Sequence, residues 1–159
     1  MAEKLKYIMI QRHAAFRAKV QCDTSVGCDV LVRHRQGFLV SVRAVRGATQ
    51  VDADERDLVL GASAELIAAV LERNQLTADD LISVIFTVTP DVHSEFPAYA
   101  ARLMGITDVP LLCATEIDVP GAMPRILRLL AHVETDQLRS ELRHVYLHGA
   151  AALRIDLPQ

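Results

Sequence analysis

Residues 81–88 read LISVIFTV, a run of eight in which only Ser83 and Thr87 are polar. Branching at Cβ in Ile82, Val84, Ile85, Thr87 and Val88 restricts χ1 and suits a pleated surface better than a helix. The run is also too short for a typical core helix, and apolar residues stand at both odd and even positions. It therefore predicts a strand buried on both faces. Pro90 closes it, and DVHSE (91–95) follows as a loop. Outward from this strand the pattern alternates. LVSVRAVR (39–46), VPLLCA (109–114) and LRHVYL (142–147) predict three more strands. Helices are predicted over 53–75, 96–104 and 121–133, with a short helical turn at 149–153. The first has an apolar stripe of Leu58, Leu66, Ile67, Val70 and Leu71, and Asp52 with Glu55 forms a capping-box pattern at its start. Thr77 caps a single turn, ADD. Gly105 is a stop signal for the second helix. In the third, Ile126, Leu127, Leu129 and Leu130 form the apolar face, and Pro124 falls in the first turn, where proline is tolerated. Strands alternating with helices indicate a layered α/β domain.

Composition bounds the possibilities. The chain has 159 residues, the length of one domain with a real core. It is 51% hydrophobic and 23% charged, as soluble globular proteins are. Aromatics make up 4% and Trp is absent, so the core must rest on Leu, Val, Ile and Ala. No apolar run approaches the roughly 18 residues that span a bilayer. The four consecutive apolar residues in KLKYIMIQRH are too few for a secretory signal. Cys22, Cys28 and Cys113 are odd in number and lack zinc-ligand spacing, which fits reduced thiols in a cytoplasm.

Charge is unevenly distributed. Residues 1–38 carry seven Lys or Arg against three acids and include every lysine of the chain. Residues 39–159 carry ten Arg against seventeen acids, a net of −7, which argues against nucleic acid as a partner. The first 38 residues show no sustained period. We expect them to be an extension, either a disordered tail or the result of a start assigned upstream of Val40 or Val42, with the domain covering 39–159.

Within that acidic body, arginines near strand ends stand out. In SVRAVRGATQV (41–51), Arg43 and Arg46 are three apart, so a strand points them to opposite faces. Arg46 is the candidate for a site, because Gly47 after it permits close backbone approach. Cys113 with Glu116 and the segment from Arg143 to Tyr146 are the other charged strand ends, the usual location of α/β ligand sites. Arg102 and Arg128 fall on predicted helices. Each residue alone also fits an ordinary structural place: exposed arginines, a loop carboxylate, a half-buried tyrosine, a small buried thiol. His93, His132, His144 and His148 lack metal-ligand spacing. Ser94 has no nucleophile-elbow glycines, and RGAT lacks the remaining glycines and lysine of a phosphate loop.

Taken together and in order, VRAVRGATQV, TVTPDVHSEFPAYAAR, PLLCATEIDVPG, RILRLL and LRHVYLHGAAALR resemble the monofunctional, trimeric chorismate mutases of the Bacillus type, from about Val40 to Leu157. The resemblance implies a mixed-sheet α/β (α+β) subunit of ferredoxin-like character, assembled as a homotrimeric pseudo-barrel. It implies sites between subunits, chorismate as substrate, prephenate as product and no cofactor. Arg46 would bind a substrate carboxylate. Phe96 and Arg102 would come from the neighbouring subunit. Cys113 and Glu116 would face the ring hydroxyl, Arg128 the ether oxygen, and Tyr146 and Leu153 would complete the site. Tyr99 and Leu112 depart from the family's pattern, where lysine and a hydroxyl residue occur, and residues 1–38 have no counterpart.

Such chemistry explains why no triad or metal cluster is needed. A [3,3] rearrangement is intramolecular, so the task is to hold a flexible dianion in its reactive shape and to stabilise charge at the breaking C–O bond. Arginines serve both ends through bidentate, charge-assisted hydrogen bonds. Two other readings compete: a related trimeric fold that deaminates enamines or imines, which the C-x-x-E pattern and distal arginine fit less well, and a non-catalytic trimer that binds a metabolite.

Overall fold

The computed structural model describes residues 32–33 and 39–154. The expected extension therefore lies outside the described residues, except for Val32 and Arg33. These form a short strand, β1 (Val32–Arg33), antiparallel to the start of β2 (Leu39–Gln50). The remaining elements are α1 (Arg56–Arg73), a 3-10 turn (Ala78–Asp80), β3 (Leu81–Val88), α2 (Pro97–Leu103), β4 (Leu111–Thr115), β5 (Ile126–Thr135), β6 (Val145–Leu147) and a C-terminal 3-10 helix (His148–Arg154).

The sheet runs β1-β2-β5-β3-β4, with β6 also paired to β2. It is mixed: β5 is antiparallel to both β2 and β3, whereas β3–β4 and β2–β6 are parallel. The fold is thus α+β with a mixed sheet, as expected. One expectation fails. Residues 121–133 do not form a third helix, because Ile126–Thr135 is the central strand of the sheet. Leu127, Leu129, Ala131, Val133 and Thr135 are buried, and Arg128, Leu130, His132 and Glu134 alternate with them. The four apolar residues at 126, 127, 129 and 130 fit a helical stripe only when the window stops there. Extended to Thr135, the same segment has a period of two.

Alternation fixes which face each side chain takes. Val45, Gly47 and Thr49 of β2, with Val51 just after it, are buried together with Val84 and Phe86 of β3 and the odd residues of β5. Against this face pack Val59, Leu66, Ile67 and Val70 of α1 and Ala98 and Ala101 of α2, in one continuous core. At Gly47 a Cβ would come within 3.0 Å of the Leu66 side chain and 3.2 Å of Val70. Glycine there lets α1 lie close on β2. The β3 segment is correspondingly buried on one side only within a single chain, since Ser83, Ile85 and Thr87 remain part-exposed on the face opposite the helices.

Helix limits differ in detail from expectation. α1 begins with Glu55 as N-cap and no side-chain cap bond, not with Asp52. It ends in a Schellman turn, with Leu76 N donating to Leu71 O and Gln75 N to Glu72 O, which puts Gln75 at φ 54°. The same turn ends α2 around Gly105, at φ 87°. The Thr77 cap is present, with Asp80 accepting from both Thr77 N and Oγ1. Asn74 is only 1% exposed and works as a hub. Its Nδ2 donates to Val70 O and Arg143 O, and its Oδ1 accepts from Arg143 N at 2.7 Å, which pins the segment leading into β6.

Candidate active site

Because both helices cover one face, the other face of the sheet stays open in a single chain. Cross-strand register sets its rows. Tyr146, Ala48, Arg128, Thr87 and Ala114 stand side by side across five strands. Arg46, Leu130, Ile85 and Leu112 form the adjacent row. A groove with a cavity volume of about 610 Å³ lies over these rows, with Arg46, Arg128, Tyr146, Leu153 and Arg154 in its wall. Of the sequence candidates, Arg46, Arg128, Tyr146 and Leu153 thus meet in one place. Arg128 does so as a strand residue, not from a helix.

Glu116 joins them from the loop after β4. Its N–H donates to Val88 O at 2.9 Å, which continues the β3–β4 ladder by one bond. Its carboxylate accepts from Thr87 Oγ1 at 2.6 Å and pairs with the Arg128 guanidinium. The Thr87 hydroxyl fixes the carboxylate, and the carboxylate in turn holds the Arg128 guanidinium, which lies in the groove wall. Ala48, Ile126, Tyr146 and Ala150 form a small apolar cluster with Met123 and Leu153 against it, which sets the tyrosine ring at the groove's end.

The remaining candidates lie elsewhere. Phe96 is the residue before α2 and is 69% exposed, and Arg102 is exposed in that helix's last turn. The loop before them is tied down: His93 N and Ser94 N donate to Asp54 Oδ1 at 3.0 and 2.9 Å. Arg56 Nε donates to Glu95 Oε2 at 3.1 Å, and its guanidinium lies 5.7 Å from the Tyr99 ring centre. At that distance the pair makes a cation–π contact. Neither Phe96 nor Arg102 lines the chain's own groove.

Cys113 departs from the expected grouping. Parallel partners share a face, and Cys113 is paired with the fully buried Phe86, so its thiol points to the helix side and packs against the core. It does not face the groove with Glu116. The two are three positions apart, an odd offset, so an extended backbone sends them to opposite faces. Burial pushes the Cys113 thiol above its ordinary value, with the Ala98 N–H and the Arg102 charge only partly opposing this, so it is protonated at neutral pH.

Sequence reasoning did not single out Thr87 or Ile85. The signal existed: Ser83, Ile85 and Thr87 share one parity in LISVIFTV, and two of the three are polar. That marks the face that is not core.

Residues 42–157 match the family model for chorismate mutase type I. The chain belongs to that family. It is 47% identical over 117 residues to the chorismate mutase AroH of Thermus thermophilus, covering 73% of this chain and 96% of the relative. To the chorismate mutase AroH of Bacillus subtilis (strain 168) it is 37% identical, covering 73% and 92%. A solved chorismate mutase from Clostridium thermocellum superposes with a TM-score of 0.69 at 44% identity, over 69% of this chain and 98% of that one. The match to the family begins at β2 and takes in every groove residue. Among the described residues no helix is long and apolar enough to cross a membrane.

Proposed function

We propose that this chain is a chorismate mutase that converts chorismate to prephenate at sites formed between copies of itself. The observation that carries this reading is the Arg46–Arg128 groove with Glu116 held on Arg128, in a chain of the type I family. Substrate carboxylate binds Arg46. Arg128 faces the ether oxygen, where negative charge grows as the C–O bond breaks, so its interaction is stronger in the transition state than in the bound substrate. Glu116 orients Arg128 and accepts from the ring hydroxyl. Tyr146 and Leu153 close the apolar end. Every bond made or broken lies within the substrate, so the protein's work is shape and charge.

A homotrimer is part of the proposal. An open sheet face carrying Leu130, Ile85 and Leu112 favours cover by another copy, and the outward Phe96 and Arg102 suit a neighbour's groove. The copy that lends Arg102 also carries Cys113 beside it. Cytoplasmic location fits a free, protonated thiol at Cys113. Loss of chorismate absorbance with purified protein, with prephenate as product, is the direct test. An unchanged spectrum would remove the enzymatic reading.

A further inference from the structure

We infer that His144 is a positioning residue for Arg46, holding the main chain beneath the guanidinium through its Nδ1 acceptor. This rests on the reading that Arg46 binds a substrate carboxylate. The β2–β6 ladder begins at Gly47 paired with Val145. One residue earlier, the ladder is continued by a side chain: Arg46 N donates to His144 Nδ1 at 3.3 Å. The ring itself sits on a fixed mount. The buried Asn74 side chain accepts from Arg143 N and donates to Arg143 O, so the residue immediately before His144 is bonded on both sides to the end of α1. A continuous path therefore runs from the helix layer, through Arg143 and the imidazole, to the backbone of the carboxylate clamp.

Acceptance at Nδ1 requires the neutral ring with its proton on Nε2. The surroundings favour that form. Burial, Arg46 on β2, Arg154 on the C-terminal 3-10 helix and Arg139 in the loop before β6 all act to lower the imidazole's affinity for a proton. Protonation would place a ring N–H against the Arg46 N–H and a fourth cation among three guanidinium groups. With the folded value depressed, the tether is intact above the ordinary histidine range and is lost as pH falls through the folded value, below about 6.5.

The test uses the full chain with chorismate. His144→Ala should raise KM about fivefold, the effect of one hydrogen bond, with kcat within about twofold. His144→Asn, whose Oδ1 can accept in the place of Nδ1, should return KM close to wild type. It should also lose the acid limb of kcat/KM that the wild type owes to the imidazole. Hydrogen exchange at the Arg46 amide reads the tether without reference to substrate: it should quicken in His144→Ala and not in His144→Asn. Arg46→Ala, measured in parallel, separates the two claims. If it leaves KM unchanged, the clamp reading fails and the inference falls with it. If Arg46→Ala raises KM while His144→Ala changes neither KM nor Arg46 exchange, the positioning role alone is overturned. An Asn variant as impaired as Ala would also overturn it.

Discussion

Two regions of one chain carry the candidate site, and they are built differently. In the groove, Arg128 is paired with Glu116, Glu116 is held by Thr87 and by the main chain, and Tyr146 is packed into an apolar cluster. At the α2 edge the anchoring stops one residue short: the 91–95 loop is tied to α1, while Phe96 and Arg102 extend into open space. The groove has fixed charges but one open side, whereas the α2 edge presents an exposed ring, Phe96, and an exposed cation, Arg102. That difference is the physical argument for a site completed by a second copy, and it can be attacked from either end.

The largest effect belongs to the groove. Arg128→Ala should lower kcat by about two to three orders of magnitude, roughly 3–4 kcal/mol, with a much smaller change in KM. Arg128→Lys should recover little, since an ammonium cannot reproduce the guanidinium fork held on Glu116. Steady-state kinetics of both variants decide this. A raised KM at normal turnover would reduce Arg128 to a binding residue and remove the contrast between a catalytic half and a lending half.

The comparison itself is tested by mixing. Arg102→Ala and Arg128→Ala proteins are each expected to be nearly inactive. After subunit exchange at equal amounts, about one quarter of the interfaces in a closed cyclic oligomer would combine an intact Arg102 with an intact Arg128, so about a quarter of wild-type activity should return. Mixed oligomers verified by mass that stay inactive would mean that both arginines serve the site from the same chain.

Much of this architecture was legible beforehand, and the failures have physical causes. LISVIFTV is a strand over the expected residues because β-branching and length agree there, but its expected burial on both faces is not met in the single chain, where Ser83, Ile85 and Thr87 stay part-exposed. RILRLL misleads because Ile126, Leu127, Leu129 and Leu130 have the i, i+1, i+3, i+4 spacing of a helical stripe, whereas a strand places them two on each face. Only the tail from His132 to Thr135, with Val133 and Thr135 inward, decides between them. The start of α1 was misplaced because Asp54, in the stretch read as a capped helix start, instead binds the 91–95 loop, a contact between segments 39 residues apart. Site residues were legible as types in motifs. Their sharing of a groove depends on the register of five strands, which spacing along one strand does not encode.

A smaller effect is expected at Thr87. Thr87→Val keeps the shape and removes the hydroxyl that donates to Glu116 at 2.6 Å. Glu116 keeps Arg128 but loses one restraint on its direction, so kcat should fall by about tenfold, corresponding to about 1.4 kcal/mol. Melting temperature should hardly change, because the site is part-exposed. An equal loss in Ser83→Ala, on the same face but bonded to His132, would show that any polar loss on this face suffices and that Glu116 is not the reason.

The smallest effect should come from Cys113. It lies three residues from Glu116 but on the other face of the sheet, against the core beneath α2. If the thiol acted in the groove, removing it would cost turnover. If it fills space on the helix side, its loss is a packing change. Cys113→Ala deletes one sulfur atom at a half-buried place, so we expect stability to fall by about 1 kcal/mol. Turnover should stay within about threefold, a barrier change of well under 1 kcal/mol. Raising the pH toward the thiol's titration should leave kcat flat in this respect, because the buried proton is lost only above the ordinary cysteine range. A loss of a hundredfold in kcat with unchanged melting would place the thiol at the reacting substrate. The face assigned by the Phe86 pairing would then have to be reached by substrate from the neighbouring copy, and the division of the site would move from between the two regions to between Cys113 and Glu116 themselves.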